Sequence, residues 1–136
     1  MDLANFSLNK DLIGIDVGRI YLDLHNNFDF GGYSKSGTTV EIKLIVTTGD
    51  WVPADTPAEL LLRFEDVSYF ETRGNLDDGT SIDEMGFFEN STQGKVDYNG
   101  ANKPLQGANL LVFRFIGGGE IAVSGEKATC IVTKKA

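Results

Sequence analysis

The chain has 136 residues, 41% hydrophobic and 24% charged, with a formal net charge of −8; this length suits one domain that buries roughly two-thirds of its unfolded surface. One cysteine excludes an intrachain disulfide framework and a cysteine-built zinc site, and one histidine excludes a multi-histidine metal centre. No apolar run reaches the ~18 residues of a membrane span, and the opening segment has no basic stretch leading into a long apolar one, so an acidic cytoplasmic protein without a secretory leader is expected.

In chain order, the first signal is Ser7, which stands where a helix cap would. It predicts a short helix to about Ile13, with Leu8, Leu12 and Phe6 on its apolar side. Arg19 to His25 alternates, with Ile20, Leu22 and Leu24 on one face, and reads as a strand. Asn26 to Ser36 holds two glycines and three aromatics and reads as a long loop, as does Gly86 to Gly107. Thr39 to Thr47 is a second strand, with Val40, Ile42, Leu44 and Val46 facing a core.

Glu59 to Thr72 is the longest strand candidate. Its apolar phase slips across Glu65–Asp66, where a β-bulge or a tight turn between two shorter strands would restore it. Ser81 with Glu84 three residues on has capping-box spacing and predicts one helical turn ended by Gly86. Leu110 to Ile116 is apolar on both parities apart from Arg114, as in a central strand. The glycines 117–119 predict a hairpin turn. Glu120 to Val123 returns from it, and Ala128 to Thr133 closes an antiparallel three-strand meander. The expected fold is mainly β: a single-domain antiparallel β-sandwich or strongly curved sheet over residues 1–136, with one or two short helices. Its core should include Val40, Ile42, Leu44, Leu62, Phe64, Val112 or Phe113, Val123 and Cys130.

The charge is concentrated. Between Phe64 and Gly100 nine carboxylates face two cations, −7 of the total −8. Such a stretch repels phosphate backbones and anionic bilayers, so neither nucleic acid nor membrane is an expected partner. A basic protein is the charge-complementary partner, through Glu65, Asp66, Asp77, Asp78, Asp83 and Glu84, and simple solvation is the competing account of the same acids.

Chemistry is thin. Cys130 alternates with Ala128 and Val132 and reads as a buried small hydrophobe; His25 reads as a surface strand residue rather than a base. No catalytic residue, metal site or cofactor is expected. The run Asn75–Glu84 fits no EF-hand register, which leaves Asp77, Asp78 and Asp83 as a solvated loop rather than an irregular calcium site. The glycine triplet lacks the ending and following helix of a phosphate loop. The sequon at Asn90 has no secretory context. Aromatics offer another reading, a ligand or carbohydrate loop built on Phe28, Phe30, Tyr33 and Trp51, with Phe87, Phe88 and Tyr98 in the later loop; core plugging is their commoner use.

Residues 59–73 (ELLLRFEDVSYFETR) and 111–123 (LVFRFIGGGEIAV), with the closing ATCIV of 128–132, resemble small bacterial immunity-type and uncharacterised β-rich families. Those families carry an LxFxxVxxF strand and a later F-x-G-G-x-I-x-V hairpin. The resemblance covers 59–132 and implies a non-enzymatic inhibitor that binds a toxin. Two further readings stay open: a small-ligand or carbohydrate-binding β-sandwich, and a homo-oligomeric structural subunit.

Overall fold

The computed structural model describes residues 1–88 and 110–135. Three sheets pack around one continuous apolar core. The first is ordered β1-β12-β7-β6-β5 and is built from Asp2–Leu3 (β1), Phe28–Ser36 (β5), Thr39–Val46 (β6), Glu59–Glu65 (β7) and Lys127–Thr133 (β12). The second is ordered β8-β11-β10-β9, from Tyr69–Arg73 (β8), Ile82–Phe87 (β9), Leu111–Phe115 (β10) and Glu120–Ser124 (β11). A small third sheet joins Ser7–Leu8 (β2), Gly14–Val17 (β3) and Ile20–Asp23 (β4). All pairings are antiparallel except β1 with β12. The fold is thus mainly β and sandwich-like.

Aromatic contacts join the two large sheets. Phe30 of β5 meets Phe115 of β10 with ring centroids 4.8 Å apart, and Phe64 of β7 meets Phe113 of β10 edge-on at 6.3 Å. Every expected core residue is buried: Val40, Ile42, Leu44, Leu62, Phe64, Val112, Phe113, Val123 and Cys130. β10 is central and covered on both faces. Leu111, Phe113 and Phe115 enter the main core, while Leu110 and Val112 pack with Ala122 against Leu12, Tyr69 and Phe88.

The phase slip at Glu65–Asp66 is a change of sheet. Asp66 adopts φ 53°, a left-handed conformation that aspartate tolerates better than most residues, and the chain leaves β7 for β8. Ser124 to Lys127 does the same between β11 and β12, so the expected meander is corrected: β12 pairs with β7, while β11 pairs with β8 and β10. The two bends lie side by side, with the Glu126 amide donating to the Glu65 carbonyl and the Ser68 amide to the Ser124 carbonyl. A side chain on Gly125 would put Cβ 2.8 Å from the Glu65 oxygen, so the close approach requires glycine. One long two-stranded ribbon is therefore folded across both sheets, the device by which orthogonal sandwiches turn corners.

Both expected helices are corrected, since no helix is present among the described residues. In place of the helix expected over 7–13, Ser7–Leu8 form β2 and the polar side chains that follow hold a turn. The Asp11 carboxylate accepts from the Ile13 and Gly14 amides, the Asn9 side chain accepts from the Asp11 amide, and Leu12 takes φ 65°. At 81–87 the helical spacing of Ile82 and Met85 has another cause. The register with β10 jumps between Arg114 and Phe115, so Asp83 is an extra residue and both apolar side chains face the core from a bulged strand. The expected loop at 26–36 is corrected to β5, whose alternation is hidden by an irregularity at Gly31–Gly32, between Phe30 and Tyr33. Of the later loop, Gly86 and Phe87 belong to β9, while Glu89, the Asn90 sequon, Asp97 and Tyr98 lie outside the described residues.

Where β1 runs out, a side chain continues the ladder. The Asn5 amide donates to the Cys130 carbonyl and accepts from the Cys130 amide, both at 2.8 Å. Asn5→Ala removes both partners at once, and a destabilisation of about 1–3 kcal/mol is expected from urea unfolding. A loss below a few tenths of a kcal/mol would mean that water replaces the amide without cost.

Candidate functional site

The six acids singled out in the sequence divide into two groups and one neutralised residue. Glu65 and Asp66 sit at the corner between β7 and β8, beside Glu126. Asp77 and Asp78 lie beyond the far end of β8, which spans roughly 17 Å at about 3.3 Å per residue. Glu84 is half-buried and faces Arg114 at 3.5 Å.

Asp77, Asp78 and Asp83 are brought to the same end of the second sheet. The turn at 77–79 is fixed on β5 by the Gly79 amide donating to the Phe30 carbonyl and the Phe30 amide donating to Thr80. The Thr80 hydroxyl donates to the Ile116 carbonyl at 2.6 Å, and the Ile116 amide donates to Ser81 at 2.9 Å. This docks 77–83 against the glycine turn, where Gly117 and Gly118 have φ near 100° as expected of a hairpin glycine. Gly119 packs so closely on Asn75 that an added Cβ would lie 2.1 Å from its carbonyl oxygen. A cleft of about 270 Å³ opens there, lined by Asp83, Arg114, Phe115, Ile116 and the three glycines. Ile116 projects with 52% of its surface exposed. Asp77, Asp78 and Asp83 are all exposed, and no described cation lies within ion-pair distance of them.

Next to this end runs a feature that the sequence did not suggest. Arg73, Glu120, Arg114 and Glu84 occupy one row across β8, β11, β10 and β9, because register sets Arg73 opposite Glu120, Glu120 opposite Arg114, and Arg114 opposite Glu84. Arg73 Nη1 lies 2.9 Å from Glu120 Oε1, and Arg114 Nε lies 3.6 Å from Oε2. Glu120 is 4% exposed, and its Oε2 has no hydrogen-bond partner among the described residues. Alternating charge spares the row the repulsion of like neighbours. Only strand register reveals it, since the four residues are scattered over 47 positions.

The aromatic platform does not assemble. Phe28 and Phe30 are buried in the core, which corrects their assignment to a ligand loop. Tyr33 lies past the β5 irregularity, stacked obliquely on Phe70 at 5.5 Å, beside an open groove of about 370 Å³ between the Lys43–Glu59 and Arg63–Glu41 pairs. Trp51 is 63% exposed over Gly49, and its indole N–H donates to the Asn26 carbonyl at 3.1 Å.

His25 and Cys130 are both committed to structure. His25 Nδ1 is 2.5 Å from the Ile82 carbonyl, so that nitrogen carries the proton. Burial pushes the Cys130 thiol up to about 11, far from nucleophilic use at neutral pH. Tyr21, hydrogen-bonded to Asp11, is also held well above its ordinary range, chiefly by desolvation and then by Asp11 and the neighbouring Asp23 and Asp16 charges. Among the described residues no three His, Cys, Asp or Glu side chains gather to hold a metal ion, and no helix is long and apolar enough to cross a membrane. Comparison with family models, curated proteins and solved structures returned no match to this chain.

Proposed function

We propose that the chain is a non-enzymatic binding protein that engages a basic protein, of the toxin-neutralising kind implied by the resemblance of 59–132, through the end carrying Asp77, Asp78 and Asp83. The observation that supports this reading is a set of three exposed carboxylates without described counter-ions at one end of the second sheet, where a cross-bonded backbone also presents Ile116 and Asp83 lines its cleft. Rigid charges around an apolar knob suit recognition, because little conformational freedom is lost when they meet a partner. Long-range attraction speeds the encounter, and a screening length of about 8 Å at 0.15 M salt limits its reach.

The test uses a partner recovered from the source cell on the immobilised chain. Wild-type affinity for it should fall as salt rises. Asp77→Lys, Asp78→Lys and Asp83→Lys together should weaken binding by tenfold or more and flatten the salt dependence. Glu65→Lys with Glu126→Lys, at the corner, should change affinity little. Glu84 is left intact in this design, since a lysine there would face Arg114. Unchanged affinity in the triple variant would reduce Asp77, Asp78 and Asp83 to a solvating role.

A further inference from the structure

The third sheet ends in an outer strand, β4, that faces a turn from a distant part of the chain. Gly18 and Arg19 join β3 to β4 in two residues, so Val17 and Ile20 form a hydrogen-bonded pair. Tyr21, opposite Asp16, therefore turns its amide and carbonyl away from β3, and neither finds a partner there among the described residues. The facing turn is closed by the Thr56 amide donating to the Pro53 carbonyl at 3.0 Å. It is anchored one residue past Pro57, where the Ala58 amide donates to Thr133 and the Ala58 carbonyl accepts from Val46. Between strand and turn lies a cleft of about 240 Å³, lined by Arg19, Tyr21, Asn27, Asp55 and Thr56 among others.

Thr56 is only 5% exposed, yet its hydroxyl makes no hydrogen bond among the described residues and opens on the cleft. A hydroxyl buried in this way is costly and asks for a partner from outside the chain. The Tyr21 ring lies against Gly14 so closely that a methyl group there would overlap it, and its hydroxyl is bonded to Asp11. The ring thus has a fixed orientation, and 42% of the residue remains exposed. Trp51 is seated over Gly49 in the same manner, and its indole N–H is bonded to Asn26, next to Asn27 of the cleft. Rings held in place before a ligand arrives lose little freedom when they meet one.

Neither sign of charge prevails here. Asp11, Asp16 and Asp23 act on Tyr21, and Asp55 lines the cleft opposite Arg19. Lys134 and Lys135 line an adjoining cleft of about 280 Å³ that shares Ile20, Asp55 and Thr56. An added peptide strand does not fit, because the Asp23 carbonyl, next along the same edge of β4, already accepts from the Asn27 amide. We propose that the cleft between β4 and the turn at Pro53–Thr56 binds a small neutral sugar. Its hydroxyls, each both donor and acceptor, meet the Tyr21 backbone, the Thr56 hydroxyl, Asn27 and Asp55. Its C–H face lies on the Tyr21 ring, whose negative face attracts the weakly positive hydrogens. The volume falls below the roughly 300–1,000 Å³ of drug-sized sites, which limits the ligand to one or two sugar rings. The site uses none of Asp77, Asp78 and Asp83, so it stands or falls apart from the toxin-binding reading.

The test is a calorimetric titration of the purified chain with glucose, galactose, mannose, N-acetylglucosamine, maltose, cellobiose, lactose and chitobiose. Concentrations reach about 100 mM, far above the millimolar Kd of a weak site. At least one of these sugars should bind saturably at a single site, and the uronic acid of the same sugar should bind at least tenfold more weakly. Thr56→Val exchanges the hydroxyl for a methyl of the same shape. It should weaken sugar binding tenfold or more while the urea midpoint stays unchanged or rises, since no internal hydrogen bond is lost. Asp55→Ala, at an exposed position, should weaken binding to a similar degree with the midpoint unchanged. Absence of saturable binding by every sugar overturns the proposal. So does full affinity in Thr56→Val, a lowered midpoint in that variant, or a uronic acid that binds as well as its neutral parent.

Discussion

Cys130→Asp should abolish the folded state or bring it close to its midpoint at room temperature. Cys130 is 2% exposed on β12, opposite Leu62 of β7 and within the main core. A carboxylate placed there meets no cation among the described residues, and an unpaired buried charge belongs to the small class of substitutions costing on the order of 5 kcal/mol. Whole-domain stabilities are about 5–15 kcal/mol, so this one residue consumes much of the margin. Cys130→Ser is the graded control. It keeps the volume, buries a hydroxyl and should cost about 1–3 kcal/mol. The wild-type thiol supplies a pH signature of the same burial. Its folded pKa, pushed up to about 11, exceeds the ordinary value of about 8.5, so the neutral form is favoured by folding. That contribution is fully present below the ordinary value and is lost as pH rises towards 11. Thiol labelling of the native protein should be slow at neutral pH and fast in denaturant. Fast native labelling would place Cys130 outside the core.

Glu120→Ala should destabilise the protein by about 2–3 kcal/mol. Removing one partner of a buried ion pair commonly costs about 3–5 kcal/mol, because the other charge is left without compensation. Here the compensation lost is that of Arg73 and Arg114 together, but their side chains are 42% and 35% exposed and regain water, which lowers the figure. Glu120→Gln retains the volume and an acceptor oxygen, so it separates the charge from the shape and should fall between alanine and wild type. The comparison that decides the matter is Glu59→Ala. Lys43 and Glu59 stand 3.8 Å apart with 45% and 35% of their side chains exposed, and a pair of that kind is worth less than about 1 kcal/mol. Urea midpoints with unchanged slopes report both values. Equal losses at positions 59 and 120 would show that the row of alternating charges adds nothing beyond surface pairing.

Much of this architecture was legible in residue alternation. Val40, Ile42 and Leu44 of β6, Leu62 and Phe64 of β7, and Cys130 of β12 obey period two without interruption, and all are buried. The period fails where an extra residue interrupts it. Gly31–Gly32 made β5 resemble a loop, and Asp83 gave Ile82 and Met85 a helical spacing inside a strand. After β2 the side chains of Asn9 and Asp11, which also suit helix caps, close a turn. The turn after β11 reads the same whether the chain reverses or changes sheet, because only the partner across the ladder distinguishes them. The acidic character of the candidate site was visible as composition; its division was not. Nothing local in the sequence says that Asp77 and Asp83 stand near Ile116 while Glu65 and Asp66 stand at a distant corner.

The ribbon bent across both sheets also governs how the molecule comes together and apart. Each of its two arms is a continuous piece of chain that belongs to both sheets at once. The sheets therefore cannot separate by sliding apart along the apolar layer between them, as two independent layers would. Opening either one strains the backbone of the other at Asp66 and Gly125. The arms are also remote in sequence, Glu59 facing Thr133 and Arg73 facing Glu120. Their pairing must wait for a long loop to close, a cost in chain entropy that is met before any ladder bond compensates it. Slow folding and a single concerted unfolding transition, coincident by different probes, are therefore the expected result.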